Sequence, residues 1–170
     1  STDYQTKYKL RELVEDGVGI LKVGPGLTYA AREGIFALCM IEEVLAAVYG
    51  FETSHFREEL DKAMLANPGK WAPYYHGTEN EIAFKRKYSF SDRCRYYLPQ
   101  ENVKNALAKL LANLKEHPVP LPLLSQYMPF QYTLVREGKL NNTPEDLIKA
   151  RVMYTIEEYT YASHQEELVR

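Results

Sequence analysis

Val18-Gly19-Ile20-Leu21-Lys22-Val23-Gly24-Pro25-Gly26-Leu27-Thr28 is the stretch on which the fold turns. Its first six residues are almost continuously apolar, the pattern of a strand covered on both faces, as in parallel sheets. Gly24-Pro25-Gly26 breaks it, and Thr28 stands where a side chain can cap the next helix. That helix is predicted to reach about Tyr49 and to stop at Gly50. A helix over residues 4–15 precedes the strand, with Tyr8, Leu10, Leu13 and Val14 as its buried side. Strand, turn and long helix in this order form a βα unit of a parallel architecture.

Beyond residue 50 the reading is helical throughout. Helices are predicted over residues 54–67, 78–87, 99–116, 129–137 and 143–163, with short turns over 92–97 and 123–127. Thr78-Glu79-Asn80-Glu81 is a capping box and Thr143-Pro144-Glu145-Asp146 a helix start. Residues 70–77 read as an aromatic loop, and Pro118, Pro120 and Pro122 as a stiff extended link. A lone buried strand cannot satisfy its own backbone N–H and C=O groups. Its partners are therefore expected outside this numbering, and the opening Ser1-Thr2-Asp3-Tyr4 reads as a cut point inside a longer protein. An eight-stranded α/β barrel takes about 250 residues, so a mostly helical chain of 170 is not a whole one.

Composition narrows the function classes. Hydrophobic residues make up 45% and charged residues 26%, an ordinary globular balance. A net charge of −2 removes the electrostatic case for nucleic acid or an anionic membrane. No apolar run approaches the roughly 20 residues of a membrane span. Cys39 and Cys94 sit among apolar or aromatic neighbours and read as small buried hydrophobes, with a disulfide or a nucleophile as the alternatives. Four scattered histidines show no metal-ligand spacing, so no metal site is expected from this chain.

Three constellations carry chemistry. The glycine turn offers backbone amides and a helix N-terminus to an anion, and Lys22 adds a cation at the strand's end. The alternative is an ordinary βα turn. In Ser91-Asp92-Arg93-Cys94-Arg95-Tyr96-Tyr97, Arg93 and Arg95 can grip a phosphate or carboxylate, or else join an internal Asp–Arg network at a helix start. Gln126 and Tyr127, before Pro129, suit a pocket, an interface or a capped bend. Glu42-Glu43 and Glu157-Glu158 read as solvated faces rather than acid–base pairs. No nucleophile triad can be assembled.

Taken in order, Ser1-Thr2-Asp3-Tyr4-Gln5-Thr6, Ile20-Leu21-Lys22-Val23-Gly24-Pro25, Ser91-Asp92-Arg93-Cys94-Arg95-Tyr96-Tyr97 and Leu124-Ser125-Gln126-Tyr127 make the chain resemble the non-catalytic accessory subunit of class II D-tagatose-1,6-bisphosphate aldolase. Members of that family were formerly labelled tagatose-6-phosphate kinases. The resemblance covers essentially the whole chain, and only the C-terminal part of the family's usual length.

The resemblance implies a mostly α piece of an α/β parent, the end of a (β/α)8 TIM barrel. Residues 1–50 would supply the loop after strand seven, strand eight and the last barrel helix, and residues 51–170 a helical C-terminal extension. It implies an accessory subunit, cytoplasmic, that supports the activity and stability of a separate catalytic aldolase subunit in galactitol, N-acetylgalactosamine or tagatose catabolism. Zinc is expected in that partner and no cofactor in this chain. Asp3, Tyr4 and Gln5 would sit at the barrel mouth, and Lys22, Gly24 and Thr28 would edge a phosphate site. Arg93, Arg95, Gln126 and Tyr127 are motif positions without an assigned role. The family usually has a histidine just before the Ser-Thr-Asp phrase, and this chain starts after it; Gly26 replaces an expected alanine and is read as a slight loosening of the turn, and Cys94 replaces an aliphatic residue. The competing readings are a sugar-phosphate 4-epimerase of related barrel fold and, more weakly, a helical binding module. A kinase finds no support, because Gly-x-x-x-x-Gly-Lys-Ser/Thr does not occur.

Overall fold

A computed structural model describes residues 1–165. Eight α-helices follow one another among them: α1 Lys7–Glu15, α2 Gly26–Tyr49, α3 Phe56–Ala66, α4 Glu79–Tyr88, α5 Glu101–Glu116, α6 Leu121–Tyr127, α7 Pro129–Arg136 and α8 Pro144–Ala162. Short 3-10 turns occupy Pro68–Lys70 and Cys94–Tyr96.

The helix α2 is the axis of the fold. Its apolar positions Ile35, Phe36, Leu38, Cys39, Ile41 and Leu45 are buried, and α8, α6, α5 and α3 pack around it. One hydrophobic cluster runs from Ile35 through Leu60, Met64, Trp71 and Leu110 to Leu147, so residues on both sides of position 50 share a core. Both cysteines are free and buried. Desolvation pushes both thiols far up, which keeps them as inert hydrophobes.

Local signals set most boundaries. Gly50 closes α2 in the left-handed conformation at φ +76°. The Thr78–Glu81 capping box forms, and Thr143 caps α8 through the Asp146 amide. Four expectations are corrected. First, α1 begins at Lys7 behind the Thr6 cap, and Tyr8 is exposed, lying edge-on to Tyr161. Second, Pro122 lies inside α6, so the extended link ends at Pro120. Third, Thr28 is not a cap: it lies inside α2 and its hydroxyl donates back to the Pro25 carbonyl at 3.0 Å. Fourth, Glu42 is no solvated face but one of the most buried polar side chains, accepting from Ser54 N, Ser54 Oγ and Asn113 Nδ2.

The expected strand does not form among the described residues, all of whose regular structure is helical. Residues 18–23 make two backbone bonds, Val18 N–H to the Leu13 carbonyl and Thr2 N–H to the Lys22 carbonyl, both 3.0 Å. A strand exists only as part of a ladder, and none of the described residues lies alongside as a ladder partner. The apolar character then stays partly in view. Ile20 is 85% exposed. Leu21 and Val23 are half-buried and, with Val14, Val18, Leu27 and Ile156, line an open groove of about 660 Å³ between α1, α2 and α8.

Candidate functional site

Residues 1–5 run beside the start of α2 and gather the site. Thr2 donates twice to the Lys22 carbonyl, from its N–H at 3.0 Å and its hydroxyl at 2.9 Å. The same hydroxyl stands 3.2 Å from that of Tyr159 on α8. The Asp3 carboxylate accepts the Gly24 N–H through both oxygens, at 3.0 and 2.9 Å, and the Gly26 N–H at 2.9 Å, and Ser1 Oγ also donates to it. Asp3 is thus the N-terminal cap of α2, supplied from a distance of more than twenty residues. A carboxylate so placed satisfies orphan amides and complements the helix dipole.

This contact explains both glycines of the turn. A Cβ at Gly24 would meet Asp3 Oδ2 at 2.7 Å, and one at Gly26 would meet Asp3 Oδ1 at 2.6 Å. Gly26 therefore does not loosen the turn; it makes room for the carboxylate that fixes it. Replacing Asp3 by alanine is expected to lower stability by about 1–2 kcal/mol, read as an earlier midpoint in urea. A midpoint within error of the parent chain would mean that water serves the two amides equally well.

Tyr4 holds the next position with φ +66°, an uncommon conformation for a tyrosine. Its hydroxyl donates to the Phe90 carbonyl at 2.6 Å, and its ring lies against Phe90 and edge-on to Tyr29, with centroids 4.6 and 5.5 Å away. Burial, with the Asp3 charge next in weight, pushes the Tyr4 hydroxyl far above the ordinary phenol range, so it stays a donor. These rings, with Gln5, Arg151, Tyr154 and Glu158, line a cavity of about 140 Å³. Arg151 is ion-paired with Glu33 at its edge. Burial raises the Glu158 carboxyl, against the lowering pull of Arg151 and Lys7.

Behind the rings lies a buried charge pair. Arg32 and Asp92 are each 2% exposed, with Arg32 Nε 3.8 Å from Asp92 Oδ1. The guanidinium lies over Tyr29 and Phe36, 4.5 and 5.0 Å from their centroids. Its Nε and Nη2, and Asp92 Oδ2, have no hydrogen-bond partner among the described residues.

The site therefore unites two of the sequence motifs directly, Ser1–Gln5 and the glycine turn, and reaches the third through Phe90 and Asp92. Lys22 is exposed at the turn, its side chain bonding nothing among the described residues. Thr28 serves α2 rather than the cavity. Arg93 and Arg95 lie outside the lining and stack on Tyr74 and Tyr96. Tyr127 lines a second cavity of about 270 Å³ with Met128, Pro129 and Phe130, sharing Glu33 and Arg151 with the first; Gln126 is exposed at the end of α6. Sequence reasoning passed over Tyr29, Arg32 and Glu33, took Glu158 for a solvated face although it is partly buried and lines the cavity, and so missed Arg151, Tyr154 and Glu158. The last three recur at i, i+3 and i+7 on α8, a polar stripe that helical spacing makes legible. Among the described residues no three His, Cys, Asp or Glu side chains converge in a metal-binding group. None of the described helices is long and apolar enough to cross a membrane.

Two comparisons bear on this arrangement. A probable tagatose 6 phosphate kinase from Sinorhizobium meliloti 1021, known from a crystal structure, is similar with a TM-score of 0.88 and 38% identity. The match covers 95% of this chain and 41% of that one, so the chain spans about two-fifths of the neighbour's length. Residues 1–164 match the profile of the D-tagatose-1,6-bisphosphate aldolase subunit GatZ/KbaZ-like family. With two motif-bearing segments joined at the start of α2, a third reached through Phe90 and Asp92, and the profile spanning nearly its whole length, the chain belongs to the GatZ/KbaZ-like family of D-tagatose-1,6-bisphosphate aldolase subunits.

Proposed function

We propose that the chain is the closing portion of a (β/α)8 barrel subunit, residues 1–50 completing the barrel and residues 51–170 forming its helical extension. In this reading the parent protein is an accessory, non-catalytic subunit working in the cytoplasm, and it supports a separate zinc-dependent aldolase subunit that cleaves tagatose 1,6-bisphosphate. The observation that carries the architecture is the segment 18–23. It is apolar, unladdered and exposed at Ile20, and it borders an open apolar groove. Added strands would supply the hydrogen bonds that its backbone lacks and would cover that groove. Alternation along the segment supports the same reading, since Leu21 and Val23 turn toward the helices while Ile20 and Lys22 turn away. The test is amide hydrogen exchange on residues 19–23. These amides are expected to exchange freely in the 170-residue chain and to become protected in the full-length parent. Free exchange in the parent as well would overturn the barrel assignment.

Sugar phosphate binding, if retained by the parent, centres on Lys22 at the rim. Asp3 already occupies the Gly24 and Gly26 amides, so the exposed ammonium is the group that meets a phosphate. A charge-assisted bond of about 1.5–3 kcal/mol makes Lys22→Met weaken tagatose 1,6-bisphosphate binding to the parent by about 10- to 150-fold. Calorimetric titration checks this, and equal affinities would reduce Lys22 to a structural residue. The purified chain itself should neither cleave tagatose 1,6-bisphosphate nor transfer phosphate from ATP to tagatose 6-phosphate. Turnover above a heat-killed control in either assay would replace the non-catalytic reading.

A further inference from the structure

The segment Arg93-Cys94-Arg95-Tyr96 plays no part in the cavity lined by Tyr4 and Phe90, yet it is built with care. Arg93 lies 3.5 Å above the centroid of Tyr74. Arg95 donates to the Asp92 carbonyl at 2.6 Å and to the Tyr96 hydroxyl at 3.0 Å, with its guanidinium 4.6 Å from the Tyr96 ring. Lys70 approaches the same ring at 5.8 Å. The two loops are tied together, because Tyr75 donates to the Ser91 carbonyl and accepts the Arg93 N–H. Tyr74 and Tyr96 are each about half exposed.

The charges here are unbalanced. Arg32, Arg57, Arg86 and Arg151 each lie against a carboxylate. Among the described residues Lys70, Arg93 and Arg95 have no such partner, and Arg93 Nε is buried without a hydrogen bond. The positive field is felt locally: the hydrogen bond from Arg95, with Arg93 beside it, holds the Tyr96 hydroxyl below the ordinary phenol range. A guanidinium stacked on an aromatic face is held in place at low entropic cost, and the N–H groups it does not spend inside the protein can meet a carboxylate. The patch is exposed rather than concave, whereas small ligands favour enclosed sites.

We propose that Lys70, Arg93 and Arg95, held on Tyr74 and Tyr96, form a docking patch for a carboxylate-rich segment of a protein partner. Tyr and Arg are also the residue types that anchor protein interfaces. The proposal stands apart from any sugar phosphate at Lys22.

The test is fluorescence anisotropy of a fluorescein-labelled hexaglutamate peptide titrated with the whole chain. Binding is expected to saturate, to weaken with salt, and to fall at least about tenfold in Arg93→Gln and in Arg95→Gln, the loss of one charge-assisted bond. Arg136→Gln, which removes another arginine that has no carboxylate partner among the described residues, should leave it unchanged. Arg95→Lys keeps the charge without the planar fork and should lose most of the gain. If the glutamine variants unfold, the unaltered chain still decides, because peptide addition must shift the ring proton resonances of Tyr74 and Tyr96. No saturable binding, equal loss in Arg136→Gln, unshifted rings, or inorganic phosphate binding more tightly than the peptide at the same residues would each overturn the assignment.

Discussion

Replacing Asp92 by leucine is expected to lower the unfolding free energy by about 3–5 kcal/mol, the cost of leaving one partner of a buried ion pair uncompensated. For a chain of this size that is a fall in melting temperature on the order of 10 °C. The physical reason is the environment of Arg32. Its guanidinium is 2% exposed, Asp92 is the carboxylate it pairs with, and two of its nitrogens bond nothing among the described residues. Tyr29 and Phe36 stabilise the cation through their faces, but such contacts contribute only about 0.5–2 kcal/mol each. Asp92 also accepts the Cys94 amide at 3.1 Å, so part of the loss could belong to that bond. Asp92→Asn separates the two, because it keeps an acceptor for Cys94 while removing the charge. It should remain destabilised by at least about 2 kcal/mol. The double change Arg32→Met with Asp92→Leu should recover most of the loss, since a buried pair replaced by apolar groups of similar volume is often neutral. If Asp92→Leu alone changes stability by less than about 1 kcal/mol, the pair is not what holds residues 89–97 to α2.

How much of this was legible in the sequence depends on how far apart the partners lie. The Thr78–Glu81 box, the Gly50 stop and the Thr143 cap each involve residues within one turn of each other, and their chemistry is written in adjacent letters. Asp3 caps α2 across 21 residues, and no periodicity reports such a contact. The segment Ser91–Tyr97 suggested an internal Asp–Arg network, but Arg95 bonds the Asp92 carbonyl while the carboxylate faces Arg32 on α2. Residues 18–23 show a different limit. An apolar run records that something covers the segment, and it is silent on which chain segment provides the cover. Tyr8 failed for a related reason, since its ring satisfies the helical spacing yet packs at the surface against Tyr161 and Lys7. At the site, Asp3, Tyr4 and Gln5 came from motif resemblance, whereas Arg151, Tyr154 and Glu158 needed the packing of α8 on α2 to bring them there.

Glu42→Leu is expected to cost about 3 kcal/mol or more, through lost hydrogen bonds to a charged acceptor and not through packing. Glu42 sits on α2 amid Cys39, Ile41 and Leu45, a place where the apolar pattern alone would put leucine. Its carboxylate takes the Ser54 N–H at 2.9 Å, the Ser54 hydroxyl at 2.6 Å and the Asn113 side chain at 2.7 Å. Asn113 also donates to the Glu52 carbonyl at 3.0 Å, so one side chain of α2 joins the loop over residues 51–55 to α5. Leucine fills the volume but leaves a buried backbone N–H and a buried hydroxyl with no acceptor, and each costs about 1–3 kcal/mol. Glu42→Gln keeps one acceptor oxygen and turns the other into a donor that faces donors, so its loss should be intermediate. Ser54→Ala in the Glu42→Leu background should then cost little, because the hydroxyl has already lost its acceptor and keeps only the long 3.4 Å bond it accepts from the Phe56 N–H. The measurement is urea unfolding of the parent chain, the three single variants and the double variant, with an unchanged slope as the check that only stability has changed. Additive losses from Glu42→Leu and Ser54→Ala would show that the two side chains act independently, and the junction would then rest on Asn113 alone.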